Sequence, residues 1–248
     1  MIIKVFTIFP GMFDGPLESS IIKRARDKEL VGIELVDFRK YAGSKHKNVD
    51  DEPFGGGPGM LLKPEPIYSA FEAIAGKKES YKGKVVLMTP QGAPLTQRIA
   101  EELAAQEEIS IICGHYEGFD ERIRKLADIE LSIGDYVLTG GELPAMVLID
   151  CVCRLLPGVL GEDESSHSDS FSDGLLEHPH YTRPRVYRDM LVPDVLISGN
   201  HEQIRRWRRK ESLRRTWQRR GELLGSASLT PEDLRFLEEI EREEENEN

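Results

Sequence analysis

Cysteine, aromatic rings and long apolar runs are all scarce in this chain. Its three cysteines, Cys113, Cys151 and Cys153, are odd in number, and no CxxC or Cys/His spacing suits zinc. A disulfide framework and a cysteine metal site are therefore excluded. The thiols lie in apolar surroundings, where reduced cysteine acts as a small hydrophobe. No apolar run approaches the roughly 20 residues needed to span a bilayer. The opening residues, MIIKVFTIFPGMF, lack the basic start, long apolar centre and small-residue cleavage site of a secretory leader. The expectation is a cytoplasmic protein with no membrane partner and no dedicated metal site.

Positive charge is also lacking overall, since the formal net charge is −11 over 248 residues. The average hides a segregation. Residues 182–220 carry 12 Lys and Arg against 4 Asp and Glu, whereas residues 221–248 carry 2 basic and 10 acidic residues. A basic segment of this kind can hold phosphates while the acidic remainder keeps the protein soluble. Arg205, Arg208, Arg209, Arg214 and Arg215 lead the candidates for RNA contact, and Trp207 or Trp217 can stack on a base. The competing reading is a solvated helix face paired with the acidic tail.

Apolar residues fall into strand patterns at 2–8, 33–38, 84–89, 109–113 and 129–133. Between them lie helix patterns. Ile67, Ala70, Phe71 and Ile74 recur at helical spacing after a Pro-Glu-Pro start, and Thr96 stands as an N-cap before Ile99, Ala100 and Leu103. Residues 19–30 and 142–156 give two more helices. The alternation predicts an α/β domain over residues 1–160 with a mostly parallel sheet. Residues 161–174 hold one large apolar residue and read as a flexible linker. A small, mainly helical domain follows over 175–248. Its segment 200–220 is expected to be helical with a break or two buried faces, and residues 238–248 to fray or be disordered.

Two strand patterns end in glycine-rich loops, 113–122 and 132–144. Two such loops at neighbouring strand ends predict one shared pocket, and backbone that must approach a ligand closely needs glycine. The run Gly55-Gly-Gly-Pro-Gly-Met60 lacks the Gly-Lys-[Ser/Thr] ending of a triphosphate loop.

The order of these pieces carries a family resemblance. Asp50-Asp-Glu-Pro-Phe-Gly-Gly-Gly-Pro-Gly-Met60, Pro90-Gln-Gly92, Cys113-Gly-His-Tyr-Glu-Gly-Phe-Asp-Glu-Arg122 and the loop 132–144 occur in register. Pro157-Gly-Val-Leu-Gly161, Asp169-Ser-Phe-Ser-Asp-Gly174, His178-Pro-His-Tyr-Thr-Arg-Pro184 and Trp207 follow. From residue 1 to about 237 the chain resembles the bacterial tRNA (guanine-37-N1)-methyltransferases of the SPOUT superfamily. The resemblance implies a deep C-terminal trefoil knot in the first domain, which no periodicity argument shows. It implies S-adenosylmethionine held by Leu87, Pro90, Gly114, Tyr116 and Glu117. Ile133, Gly134, Asp135, Tyr136, Val137, Leu138, Gly140, Gly141 and Pro144 complete that set.

The resemblance further implies Asp169 as the base that takes the guanine N1 proton and Arg154 as the cation that steadies charge on the base. Asp173 and, less so, Glu117 are rivals for the proton. Gly57, Gly59, His180 and Arg183 join the arginines above as implied contacts to tRNA. A homodimer is implied, with the partner's C-terminal domain closing the site, as is a use of Mg²⁺ without a dedicated protein site. Methylation at another RNA position, such as a ribose 2′-OH, and RNA binding over a vestigial pocket remain the alternatives.

Overall fold

The computed structural model describes residues 1–160 and 169–247. The chain divides into two compact units, Met1–Asp163 and Glu164–Asn248. In the first unit a fully parallel sheet holds the strands β1 (Ile2–Thr7), β2 (Gly32–Asp37), β5 (Lys84–Pro94), β6 (Glu108–Cys113) and β7 (Ile129–Ser132) in the order β2-β1-β6-β5-β7. These are the five segments that the apolar patterns predict. A two-residue antiparallel pair, β3 (Asp50–Asp51) and β4 (Leu61–Leu62), brackets the glycine run between them.

The sheet is buried on both faces, so its strands are nearly continuous in apolar residues rather than alternating. Side chains still alternate between two cores. Ile3, Val5, Val86, Met88, Ile109 and Ile111 face one side, where α2 (Ser20–Asp27), α4 (Gln97–Ala104) and α5 (Glu142–Cys153) supply Ala25, Leu103, Leu148 and Ile149. Phe6, Val85, Leu87 and Ile112 face the other, against Ile67, Ala70 and Phe71 of α3 (Pro64–Ala75). A short helix α1 (Asp14–Leu17) precedes α2. Each fully buried Ile, Leu or Phe contributes ~1.5–3 kcal/mol relative to exposure. Pro64 and Pro66 open α3, and the Thr96 hydroxyl accepts from the Ile99 amide at 3.4 Å to cap α4.

The thiols of Cys113 and Cys153 lie in the first core, and Cys151 is half-buried. Burial pushes the Cys153 thiol up to about 12 and the Cys113 thiol well above its ordinary value, so both stay protonated at neutral pH.

In the second unit, a hairpin of β8 (Val186–Tyr187) and β9 (Met190–Leu191) turns at Arg188 and Asp189, whose φ values are 49° and 63°. Helices α6 (His201–Arg220) and α7 (Pro231–Glu247) pack around Leu175, Leu213, Phe236 and Ile240. Helix α6 runs its 20 residues without a break, which leaves the other expected outcome, two packed faces, and it is capped by Asn200, whose Oδ1 accepts from the Gln203 amide at 3.1 Å. One expectation needs correction here. The acidic tail does not fray from residue 238: it is the last part of α7, with Ile240 fully buried. Its carboxylates meet α6, where Lys210 Nζ lies 2.7 Å from Glu239 and 2.9 Å from Glu243.

The linker expectation for residues 161–168 lies outside the described residues. Residues 169–174 form hydrogen-bonded turns, with the Ser172 amide donating to the Asp169 carbonyl at 3.2 Å. Among the described residues, no helix is long and apolar enough to cross a membrane.

Candidate functional site

A cavity of about 300 Å³ opens beyond the C-terminal ends of β5, β6 and β7. Three departures from regular strand build it. First, β5 shifts register against β7: Leu131 pairs with both Met88 and Ala93, so residues 89–92 bulge out. That bulge delivers Thr89, Pro90 and Gln91 to the cavity. Second, the chain after β6 turns sharply, with Tyr116 at φ +59°, a left-handed conformation that costs a non-glycine residue ~1–3 kcal/mol. Third, the loop after β7 folds back onto the loop after β6. The Gly141 amide donates to the Gly114 carbonyl at 2.8 Å, and Gly140 bridges His115.

Gly141 shows why the loops are glycine-rich. Its φ of −82° suits any residue, but a Cβ there would sit 2.8 Å from Cys113 Cα and from the Gly114 amide nitrogen. The close approach, not the torsion, demands glycine.

Beneath the loops lies a buried polar contact. Glu142 in the first turn of α5 is 1% exposed, and its Oε1 accepts from the Thr7 hydroxyl at 2.7 Å. Its other oxygen lies 3.9 Å from His115 Nδ1, a buried atom with no hydrogen-bond partner among the described residues. The His115 ring packs edge-on against Phe9 and Tyr116, at centroid distances of 4.8 and 4.9 Å. This contact ties the end of β1 to both glycine loops.

The structure gathers most of the expected pocket residues at this cavity. Pro90, Gly114, Tyr116 and Glu117 line one side. Ile133, Gly134, Tyr136, Val137, Leu138, Gly140, Gly141 and Pro144 line the other. Leu87 does not reach it, because strand alternation turns its side chain into the α3-side core. Asp135 also stands outside the lining.

The sequence reading missed Thr89, Gln91, His115 and Arg124. Arg124 donates to Gln91 at 2.5 Å and to Glu121 at 2.9 Å, contacts Glu130, and lies 5.1 Å over the Phe119 ring. Its sequence signal was slight, since Arg122 and Lys125 stand beside it and nothing local singles it out.

None of residues 55–60 lines the cavity, but Gly59 of the glycine run lies against Glu117, which does. Gly59, at φ +78°, lies so close to the Glu117 side chain that a Cβ would overlap it, and the Glu117 amide donates to the Met60 carbonyl at 3.2 Å. Gly57 sits farther along that loop at φ +133°, beside Pro53. Arg154 is the C-cap of α5, with its amide bonded to the Asp150 carbonyl at 3.2 Å. Twelve residues of helix rise separate it from Glu142, roughly 18 Å. It does not line the cavity. Asp169 is half-buried in the second unit.

In that unit the arginines have different employments. Arg209 forms a two-pronged pair with Asp233, at 2.8 and 2.9 Å, and also meets Asp173. Asp233 is 2% exposed and forms a capping box with Thr230: the Thr230 amide donates to its Oδ2 at 2.9 Å, and its own amide donates to the Thr230 hydroxyl at 3.2 Å. Burial alone would raise the Asp233 carboxyl. The Arg209 guanidinium and the two Thr230 groups outweigh it and hold the pKa below the usual carboxylate range.

Arg214 is engaged by Glu211 at 3.2 Å and Glu243 at 2.5 Å. Arg205 pairs with Glu202 at 2.7 Å on the exposed face, where an ion pair contributes little. Arg215 donates to the Glu177 carbonyl at 3.4 Å. Arg183 and Arg208 are exposed and make no ion pair among the described residues. Asp173, the expected rival for proton transfer, is held by Arg209 and by the Leu175 amide at 3.3 Å. His180 Nε2 lies 3.7 Å from Glu177.

A parallel sheet with a glycine-walled cavity at its strand ends, in a chain whose second unit bears an arginine-rich helix, defines an α/β ligand-binding protein with a helical accessory unit. The comparison with known families narrows this. The family model described as tRNA (Guanine-1)-methyltransferase TrmD matches residues 1–226, and the chain belongs to that family of enzymes. Curated relatives agree along nearly their whole length. The tRNA (guanine-N(1)-)-methyltransferase of Moorella thermoacetica is 59% identical over 98% of both chains. Those of Dehalococcoides mccartyi and Bacillus cereus are 58% and 57% identical over 98% of this chain, covering 98% and 100% of their own lengths.

Proposed function

We propose that this protein transfers a methyl group from S-adenosylmethionine to N1 of guanosine 37, 3′ to the anticodon, in tRNA. The observation that carries the reading is the cavity. Its volume falls at the lower end of the range for small-molecule sites, and it combines apolar walls with clustered backbone groups. Leu138, Ile133 and Pro144 offer faces to a purine, and the N–H and C=O groups around Gly134 and Gly140 can read its edge. When bound, S-adenosylmethionine supplies an electrophilic methyl on its sulfonium.

Methylating N1 requires that its proton depart. Asp169 accepts it, and Arg154 offsets the negative charge that then develops on guanine O6. Arg154 stands at the end of α5 remote from the cavity, so the reading includes a homodimer in which a second copy completes the site. Leu143 and Val147, 49% and 42% exposed one helical turn apart on α5, supply an apolar face for that association. The described residues hold no group of three or more His, Cys, Asp or Glu side chains placed for a metal ion. The accompanying trefoil knot in the C-terminal part of the first domain belongs to the same proposal, as does a cytoplasmic location.

The test is methyl transfer from labelled S-adenosylmethionine to unmodified tRNA transcripts carrying guanosine or adenosine at position 37, with the product nucleoside mapped. Label in 1-methylguanosine from the guanosine transcript alone is the expected result. Label on a ribose, or at another position, refutes it.

A further inference from the structure

The two tryptophans of α6 meet different fates. They are ten residues apart, so they project about 80° out of phase around the helix. Trp217 packs against the core of Leu175, Leu213, Phe236 and Ile240. Trp207 takes no part in that core. It stands instead beside three other rings from the segment before the hairpin. His178 lies 6.5 Å and Tyr181 6.4 Å from it between ring centroids, and His178 lies 4.3 Å from His180. Tyr181 is 48% exposed and the His180 side chain 63% exposed.

At these distances the rings are tilted and loosely spaced rather than stacked as a core. Cations flank them. Arg208 follows Trp207 and exerts its charge on His178, Arg183 follows Tyr181 by two residues, and Arg215 reaches the Glu177 carbonyl next to His178. Burial pushes the His178 pKa down, helped by the Arg208 charge and opposed by the Pro179 carbonyl, so at neutral pH it presents an uncharged ring.

We propose that Trp207, Tyr181, His178 and His180 form a platform on which an unpaired base of the tRNA stacks, with Arg183, Arg208 and Arg215 holding the adjoining phosphates. Unpaired RNA is held by this combination, since every base offers a π-face and every linkage a negative charge. The arginines oppose an acquired apolar partner, which would bury them uncompensated. The inference rests on the tRNA reading above and deepens it by naming where a base is held. It assigns Trp217 to folding alone.

Because the chain has only two tryptophans, each can report separately. In the full-length protein, Trp217→Phe leaves Trp207 as the sole indole, and Trp207→Phe leaves Trp217. Titration with an unmethylated anticodon stem-loop should quench the first and leave the second unchanged. A blunt RNA duplex of the same length should quench neither. Trp207→Leu keeps apolar bulk and loses the π-face. It should weaken stem-loop binding ~5- to 100-fold, with S-adenosylmethionine affinity within about twofold of wild type. Trp207→Phe should bind RNA within about threefold of wild type, and Tyr181→Leu should weaken binding in the same direction as Trp207→Leu.

Equal RNA affinities for Trp207→Leu and Trp207→Phe would mean packing rather than stacking and would overturn the platform. So would quenching by the duplex as strong as by the loop. If instead the wild-type protein methylates no guanosine 37, the broader functional reading fails. Wild-type methylation with unaffected Trp207→Leu binding removes the platform alone.

Discussion

Replacing Gly141 with alanine tests the cavity's construction at its tightest point. The added Cβ would stand 2.8 Å from Cys113 Cα and from the Gly114 amide nitrogen, against ~3.5–4.0 Å for an unstrained carbon contact. The two loops must separate by roughly 0.7 Å or more, and both obstacles are backbone, so no rotamer change relieves the overlap. Overpacking of this kind costs ~1–3 kcal/mol. The 2.8 Å bond between the Gly141 amide and the Gly114 carbonyl spans the same gap, and losing it adds ~1 kcal/mol. The total, ~2–4 kcal/mol, corresponds to a fall of roughly 5–15 °C in the melting temperature of a unit this size.

Gly76→Ala is the control. There φ is +82° and ψ −172°, a region essentially reserved for glycine, and nothing lies within 4 Å of the new Cβ, so torsional strain of ~1–3 kcal/mol is the whole cost and the cavity is untouched. Scanning calorimetry measures both variants, and titration calorimetry with S-adenosylmethionine measures binding. Gly141→Ala should lose binding at least tenfold while Gly76→Ala keeps it. An alanine variant at 141 that melts within a degree of wild type and binds the ligand unchanged refutes the reasoning.

Asp169→Ala should abolish methyl transfer in a single-turnover assay while leaving S-adenosylmethionine affinity within about threefold, and full activity would remove Asp169 from the mechanism. Arg154→Ala should collapse the rate likewise, whereas a loss confined to cofactor affinity would contradict the charge-stabilising role. Phe71 is fully buried between Phe6 and Tyr81, at 5.7 and 5.4 Å, so Phe71→Ala should destabilise the first unit by ~3–5 kcal/mol in urea melts. The Asp233 carboxyl is held below its ordinary value in the folded chain, so its contribution is complete above the unfolded pKa of about 3.9 and disappears as pH falls through the folded pKa. Asp233→Asn should therefore cost ~2 kcal/mol at pH 7, less than a fully buried pair because Arg209 keeps Asp173, and its deficit should shrink below about pH 4. A deficit that is constant with pH contradicts the assignment.

The sequence by itself determined the five strands and main helices of the first unit and the pocket's raw material. Strands at 84–89 and 109–113 were legible because burial on both sheet faces makes a strand an unbroken apolar run, a property of neighbouring residues. The cap at Thr96 and the Pro-opened α3 are local in the same way. The two glycine loops were legible as a pair because Cβ-less backbone is itself a sequence fact. The bulge at residues 89–92 was not, since it arises only when β5 meets β7 in a particular register.

Nor does any local pattern tell that Leu87 turns away from the cavity or that Glu142 meets Thr7 beneath His115. The same holds for the helices of the second unit. The acidic end of the chain looked like a solvated tail until α7 laid Ile240 into the core and its carboxylates along α6. Two tryptophans on one helix were equivalent candidates until that packing took one of them. Whether a cation is spent on a carboxylate, or a ring on a core, depends on residues tens of positions away, and only the tertiary structure brings them together.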